Sequence, residues 1–310
     1  MRNKSESISI TGIVLCAGAL FGVTGAGVAL ASASPGEQDV VDHTSLPDTL
    51  QLDAVIRDFK PAQYDGGHPD FQSFAGSTTV GLVESQLGPD RVPVAASLRG
   101  WKINGEFRDS GGRNIMPSSF DADLGDYQGG LQQGGTGNGL TSADRFDQWY
   151  KDVPGVNASA IVPLTFNKVE GTNRYVFDSS VDEPYRSMGG FFPINGELYG
   201  NYSGGKNFHF TTEVRTMFTY KHGTGQVFKF TGDDDVWVYI GDQLVIDLGG
   251  LHPQREQHLS LDRLDWLEDG KKYTLDIFHA ERRTSGSNFR IETTLQLRSV
   301  ELPPTASLYD

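Results

Sequence analysis

Apolar and polar residues alternate along much of the C-terminal third of this chain, and this period of two constrains the fold more than any other feature. The alternation runs through residues 208–214 and 289–297, and within residues 236–240 the aliphatic Val236, Val238 and Ile240 alternate with Trp237 and Tyr239. Side chains of a strand point to its two faces in turn, so the pattern predicts β-strands. Gly241-Asp242 lies between residues 236–240 and the apolar run of residues 244–246, and it predicts a hairpin turn. The chain is therefore expected to be all-β, an antiparallel β-sandwich with long loops.

Composition supports this fold class and argues against two kinds of partner. The 310 residues include 38 glycines, and aromatic residues make up 11%, which is typical of short strands joined by tight turns. The net charge of −14 argues against nucleic acid and anionic lipid, because both are bound through Lys and Arg. An acidic chain is compatible with a hard cation such as calcium.

Residues 1–33 have the organisation of a signal peptide. Arg2 and Lys4 precede a long apolar stretch, and Ala31-Ser32-Ala33 provides small residues for cleavage. An uncleaved anchor is the alternative, since the stretch is long enough to span a bilayer. We expect cleavage, and hence a secreted or cell-surface protein without stable membrane insertion.

The remaining chain is predicted to contain one domain. Residues 34–51 are expected to form a polar tether, residues 52–298 the domain and residues 299–310 a C-terminal tail. Within the domain, Ser142 is a candidate N-cap for one short helix over residues 142–152.

Three consecutive aspartates, Asp233 to Asp235, directly precede an apolar strand. Adjacent carboxylates repel one another, and a nearby divalent cation removes that cost. Calcium binds oxygen ligands of this kind, and the predicted hairpin could return Asp247 to the same place. The alternative is an Asp-rich turn that is simply solvated.

Residues 231–247, TGDDDVWVYIGDQLVID, resemble the core hairpin of PA14 domains, and further segments resemble the fibro-slime branch of that superfamily. These segments are LGGLH (248–252), LDIFHAER (275–282), TSGSNFRIET (284–293), and upstream IRDF (56–59), HPDF (68–71), FDQWY (146–150) and FFP (191–193). The resemblance extends over roughly residues 52–297, and its C-terminal motifs are the more specific ones.

The resemblance implies a PA14-like β-sandwich and a metal site. In sugar-binding PA14 adhesins an Asp-Asp pair, joined by a cis peptide, holds calcium beside the ligand, and a later Asn assists. The matching residues here are Asp233, Asp234 and Asn288. A glycine often follows the pair in PA14 domains, so Asp235 departs from the general pattern and leaves open which two aspartates contact the metal.

We therefore expect a calcium-dependent carbohydrate-binding or adhesion module that contacts an extracellular polysaccharide or glycan through Asp233, Asp234, Asn288 and His252. Trp237 and Tyr239 could stack on a sugar, although packing inside the sandwich is the expected role of large aromatics. Two other functions stay open. One is a structural surface or matrix protein with structural calcium.

The other is a glycoside hydrolase that would use Asp247 and Glu281 as paired carboxylates. The run Glu281-Arg282-Arg283 could also contain an ordinary ion pair that fixes a loop.

Overall fold

Antiparallel strands form nearly all of the regular structure. The structure, a computed structural model, describes residues 45–134, 139–284 and 286–300, and within them the predicted all-β, antiparallel fold class is confirmed. The strands are β1 (Thr49–Phe59), β2 (Thr79–Val80), β3 (Trp101–Gly105), β4 (Gly130–Gln133), β5 (Asn157–Lys168), β6 (Tyr175–Asp178), β7 (Phe210–Thr219), β8 (Val227–Gly232), β9 (Asp235–Ile240), β10 (Gln243–Leu248), β11 (Arg255–Ser260), β12 (Lys272–Glu281), β13 (Phe289–Thr293) and β14 (Arg298–Ser299). The α-helices are α1 (Ala143–Phe146) and α2 (Tyr185–Met188).

One large sheet has the strand order β10-β9-β12-β7-β1-β5-β6-β13-β8-β11, with β14 paired to β7, and a small second sheet has the order β2-β3-β4. A side chain joins the two edges of the large sheet. Gln257 on β11 accepts from the backbone N of Asp247 at 3.1 Å and donates from Nε2 to the same residue's carbonyl at 3.0 Å. This side-chain amide bridges the two edge strands, β10 and β11, so the two edges of the curled sheet lie side by side.

The inner face of the curled sheet holds the main core. Val236, Val238 and Ile240 point inward from β9 and pack in the same cluster as Phe228 and Phe230 of β8. The alternation seen in the sequence is therefore the alternation between this core and the opposite face of the sheet.

A second core lies on that opposite face, because a covering segment, residues 60–134 and 139–156, lies over it. Trp237 and Tyr239 point outward from β9 and share a cluster with Phe71, Phe146 and Trp149 of the covering segment. Trp237 and Tyr239 are fully buried. The suggestion that they stack on a sugar is wrong, and the expected packing role is confirmed.

Buried ion pairs also join the covering segment to the sheet. Arg57 on β1 bonds both Asp152 and Glu213, at 2.9 Å each. Asp276 on β12 is bonded by Arg215 at 2.6 Å and by Arg91 of the covering segment at 2.8 Å. Charges alternate along this row, so each buried group has a partner of opposite sign.

Several local predictions can be compared with the structure. Gly241 and Asp242 both have positive φ, +52° and +72°, as the predicted two-residue hairpin turn requires. Ser142 does cap α1, since its Oγ accepts from Arg145 N at 3.2 Å, but the helix ends at Phe146. The short helix α2 was not predicted.

The first and last strands extend slightly beyond the predicted domain of residues 52–298. β1 begins at Thr49, so residues 49–51 belong to a strand and not to the tether, and β14 includes Ser299 of the predicted tail. The predicted signal peptide lies outside the described residues. Within those residues, the structure has no helix that combines the length and the apolarity needed to cross a bilayer.

One buried carboxyl makes stability depend on pH. Asp58 on β1 accepts from Asn207 Nδ2 at 2.9 Å and from Tyr199 N at 2.8 Å. Burial raises the pKa of Asp58 from 3.8 to about 7, in spite of these bonds, which lower it. Because the folded pKa exceeds the unfolded one, the contribution to stability is complete below pH 3.8 and is lost as the pH rises through 7.

We expect Asp58→Asn to reduce the loss of unfolding free energy between about pH 4 and about pH 8 by roughly 1–3 kcal/mol, as measured by urea denaturation. The exposed carboxylate of Asp53 on the same strand provides the control Asp53→Asn, which should leave that difference unchanged. An unaltered pH dependence in Asp58→Asn would contradict the role of burial.

Candidate functional site

Strand pairing brings two loops together at one end of the strands of the large sheet. The first loop, Asp233-Asp234, connects β8 to β9, and the second, residues 282–288, connects β12 to β13. Ala280 pairs with Asp235, and Phe289 pairs with Gly232. The two loops must therefore lie side by side, and the sequence places acidic residues in the first and an Arg and an Asn in the second.

A fully buried ion pair connects these loops. Arg282 donates from Nε to Asp235 Oδ2 at 2.6 Å and from Nη2 to Asp235 Oδ1 at 3.2 Å, and both side chains have no exposed surface. Asp235 Oδ1 also accepts from Gly250 N at 2.6 Å. The pair thus fixes a third loop as well, the one that follows β10.

This pair explains the departure from the general PA14 pattern. Asp235, the extra acid, neutralises Arg282, so Asp233 and Asp234 are the two aspartates that remain for other partners. Among the described residues, the ion pair suggested within residues 281–283 does not form, and Arg282 pairs instead with Asp235 of β9.

Asp233 is held by Asn288. Asn288 donates from its backbone N to Asp233 Oδ1 at 2.5 Å and from Nδ2 to Oδ2 at 2.8 Å. Gly286 lies against the same carboxylate, and a Cβ there would be 3.1 Å from Oδ2. Its φ of +142° also disfavours any other residue. The loop thus leaves Asp233 accessible while fixing its orientation.

Asp234 and Glu281 are buried without an ion pair of their own among the described residues. Asp234 accepts from Arg282 N at 2.9 Å. Burial, together with the neighbouring charges of Asp235 and Asp233, raises its pKa from 3.8 to about 7, although the hydrogen bond and the charge of Arg282 lower it.

Burial also raises the pKa of Glu281 well above 4.5, and Asp234 and Asp233 add to that effect. Its Oε2 has no hydrogen-bond partner among the described residues. The pKa of Asp233 is raised as well, again mainly by burial. Together these three carboxyls carry more potential negative charge than their surroundings neutralise.

A cleft with a volume of about 520 Å³ lies above this cluster. The residues that line it are Gly76, Asp233, Asp234, Leu251, His252, Pro253, Arg283, Thr284 and Gly286. Asp233 is partly exposed there, and Pro253 and Arg283 are exposed at its rim. The cleft therefore presents acidic oxygens at its base and mixed polar and apolar groups around them.

The structure brings together most of the predicted site residues. Asp233, Asp234 and His252 line the cleft, and Asn288 holds Asp233. The ring nitrogens of His252 lie 2.9 Å from Pro253 O and 3.3 Å from Leu248 O, so its ring is bonded within its own loop.

Asp247 does not join them. Its carboxylate accepts from Trp237 Nε1 at 3.1 Å and from Gly81 N at 2.7 Å, in the second core. The expected cis peptide is also absent, because among the described residues the one cis bond precedes Pro184. Asp234 instead has a φ of +55°.

These residues fit a hard divalent cation. Carboxylate and amide oxygens are the ligands that calcium takes, and Glu281 Oε2 is a buried oxygen still without a partner. Within residues 45–134, 139–284 and 286–300, no three His, Cys, Asp or Glu side chains form a complete metal-binding group. A cation would need further oxygens from Asn288, backbone carbonyls or water, as calcium commonly does.

Comparison with known proteins gives the family. Residues 193–302 match the family model described as PA14 domain. The chain carries a PA14 domain. The match spans β7 to β14 and so includes the β8–β9 and β12–β13 loops, which confirms the resemblance to PA14 domains stated above.

Two relatives from Dictyostelium discoideum extend the similarity to most of the chain. Protein psiI is 36% identical over 82% of this chain, and protein psiC is 31% identical over 82%. The chain spans only 31% and 42% of their respective lengths.

Among solved structures, the PA14 domain of the MpAFP antifreeze protein aligns with 65% of this chain and 92% of that chain, at 12% identity and a TM-score of 0.26. The family assignment therefore rests on the sequence comparisons. A PA14 domain indicates a binding or adhesion module in preference to an enzyme.

The ion pair of the PA14 domain provides a direct test. We expect Arg282→Met to lower the free energy of unfolding by about 3–5 kcal/mol, because it leaves Asp235 buried and unpaired. Urea denaturation would measure this. Arg186→Met is the matched control, since Arg186 pairs with Glu183 at the surface and its loss should cost less than about 1 kcal/mol. Equal costs for the two variants would contradict the role given to the buried pair.

Proposed function

We propose that this PA14 domain is a calcium-dependent carbohydrate-binding module of an exported protein and that it acts in adhesion. One observation carries the proposal. Asp233 and Asp234 are desolvated carboxyls at a cleft, and the described residues form no ion pair with either of them. Two such groups are costly to ionise together unless a cation neutralises them.

The chain's own residues already orient both carboxylates. Asn288 fixes Asp233 through two hydrogen bonds, and the backbone N of Arg282 fixes Asp234. Pre-oriented ligands lower the ordering cost of binding, which supports a cation site over a flexible acidic turn. A bound calcium ion would supply coordination positions that two neighbouring sugar hydroxyls can occupy.

The rim supports a sugar as the further ligand. His252, Pro253, Arg283 and Thr284 surround the carboxylates and offer an apolar contact surface beside hydrogen-bonding groups. A few polar groups with apolar neighbours are typical of small-ligand sites. The partner proposed here is an extracellular polysaccharide or glycan, and the signal-peptide pattern of residues 1–33 supports its extracellular location.

The hydrolase alternative receives no support from the carboxylates named for it. Asp247 and Glu281 are buried, and neither lines the cleft. The matrix-protein alternative differs from our proposal in one respect only: its calcium would stiffen the loops without contacting a ligand. Glycan binding therefore decides between them.

Calcium binding is the first test of the proposal. We expect Asp233→Asn and Asp234→Asn each to weaken calcium binding by more than about tenfold in titration calorimetry, since removing a carboxylate lowers the charge of the site. Asp265→Asn removes an exposed carboxylate elsewhere and should leave the affinity unchanged. Calcium should also raise the melting temperature of the unaltered protein. Wild-type affinity in both site variants would refute the site.

Glycan binding is the second test. We expect the protein without residues 1–33 to bind members of a broad glycan panel in calcium and to lose them in excess chelator. Binding that survives chelation would exclude a calcium-bridged ligand. Calcium binding without any bound glycan would favour the matrix protein.

A further inference from the structure

Gln72, in the segment that covers the sheet, makes an unusual set of contacts with the loop after β12. Its backbone N donates to Arg282 O at 2.7 Å. Its side chain donates from Nε2 to Thr284 Oγ1 at 3.1 Å and accepts at Oε1 from Thr284 N at 3.2 Å. One residue therefore binds this loop through three hydrogen bonds, although more than two hundred residues separate them in sequence.

A buried histidine sets the orientation of the Gln72 amide. His209 Nε2 lies 3.0 Å from Gln72 Oε1. Burial lowers the pKa of His209 to about 4, so the ring is neutral near pH 7 and can donate from one nitrogen only. Donation from Nε2 makes Oε1 the acceptor, which leaves the Gln72 Nε2 group facing the Thr284 hydroxyl.

The backbone of Gln72 is held in a conformation that a residue with a side chain rarely adopts. Its φ is +64°. A non-glycine residue in this left-handed region is strained, and such residues persist where surrounding contacts over-determine them. The three bonds to residues 282 and 284 and the contact with His209 are those contacts.

The same segment reaches both walls of the cleft. Phe74 O accepts from Arg283 Nη1 on one side. On the other side, Gly76 packs against the loop between β10 and β11, so closely that a Cβ on residue 76 would lie 1.8 Å from Leu251 O. Residues 72–76 thus contact the Arg283–Thr284 wall and the Leu251 wall together, and they lie outside the PA14 match of residues 193–302.

We propose that Gln72 is a positioning residue for the cleft and that residues 72–76 form a brace that pre-orders both walls before a ligand binds. This inference rests on the proposed calcium site. Gln72 touches neither Asp233 nor Asp234 in a hydrogen bond. Its side chain holds Thr284, and Arg282 of the same loop donates from N to Asp234, so Gln72 acts on the site by fixing this loop. Outer-shell groups of this kind orient the ligands of a metal and strengthen its binding.

Two variants separate the side chain from the backbone. Gln72→Gly removes the side-chain bonds and accepts the positive φ without strain, so the fold should be retained. Gln72→Asn keeps an amide and tolerates the left-handed region, but its side chain is one methylene shorter. Asp242→Gly is the matched control, because Asp242 also has a positive φ, +72°, and lies in the β9–β10 turn away from the cleft.

Calorimetric titration with calcium chloride should show a loss of about tenfold or more in affinity for Gln72→Gly, a smaller loss for Gln72→Asn and none for Asp242→Gly. Amide hydrogen exchange without calcium should be faster at Thr284 in the two Gln72 variants and unchanged in the control. In a Thr284→Val background, Gln72→Gly should lower calcium affinity by less than it does alone, because the two residues share a bond.

The outcomes distinguish this inference from the function on which it rests. Wild-type calcium affinity and Thr284 exchange in both Gln72 variants would overturn the brace and leave the calcium site standing. An unaltered protein that binds no calcium would overturn the proposed function. Faster Thr284 exchange in the variants would then still support the brace, and unchanged exchange would overturn it too.

Discussion

The buried pair of Arg282 and Asp235 is the interaction on which the candidate site depends. Two ionised groups without any exposed surface are stable only when each satisfies the other and their remaining hydrogen-bonding positions are filled. Here Gly250 N and Gly139 O complete those positions. Because these partners come from different segments, the condition that makes the pair tolerable also forces distant loops to meet at one place.

The carboxyls beside this pair have unusual pKa values. Arg282 forms its ion pair with Asp235, and the buried carboxyls of Asp234 and Glu281 have no ion pair of their own among the described residues. Burial then raises the pKa of both carboxyls. For the cation site proposed above, the low local dielectric increases both the attraction between opposite charges and the cost of leaving a carboxylate unpaired.

Sequence reasoning predicted the all-β fold class and the β9–β10 turn, and the physical reasons can be named. Period-two alternation reports which face of a strand is buried, and Gly241-Asp242 has the residues that a hairpin turn with positive φ requires. The prediction that Asp247 lies near Asp233 and Asp234 did not take into account an irregularity in β10. An unbroken register from that turn would set Asp247 opposite Val236, but a bulge between Leu244 and Ile246 pairs it with Trp237 instead. A shift of one residue sends every later side chain to the other face.

The covering segment shows a second limit of reading strands locally. All six residues of β9 are buried because residues 60–134 and 139–156 cover the outer face of the sheet, and no alternation within β9 can show which distant segment does so. The consequence reaches the site. The cover supplies Trp149, whose ring centroid lies 5.0 Å from the Arg282 guanidinium, and this contact keeps water from the ion pair. A strand pattern identifies the two loops, but it cannot show that a segment far away in sequence covers the ion pair beside them. The role of the covering segment follows only from the packing on both faces of the sheet.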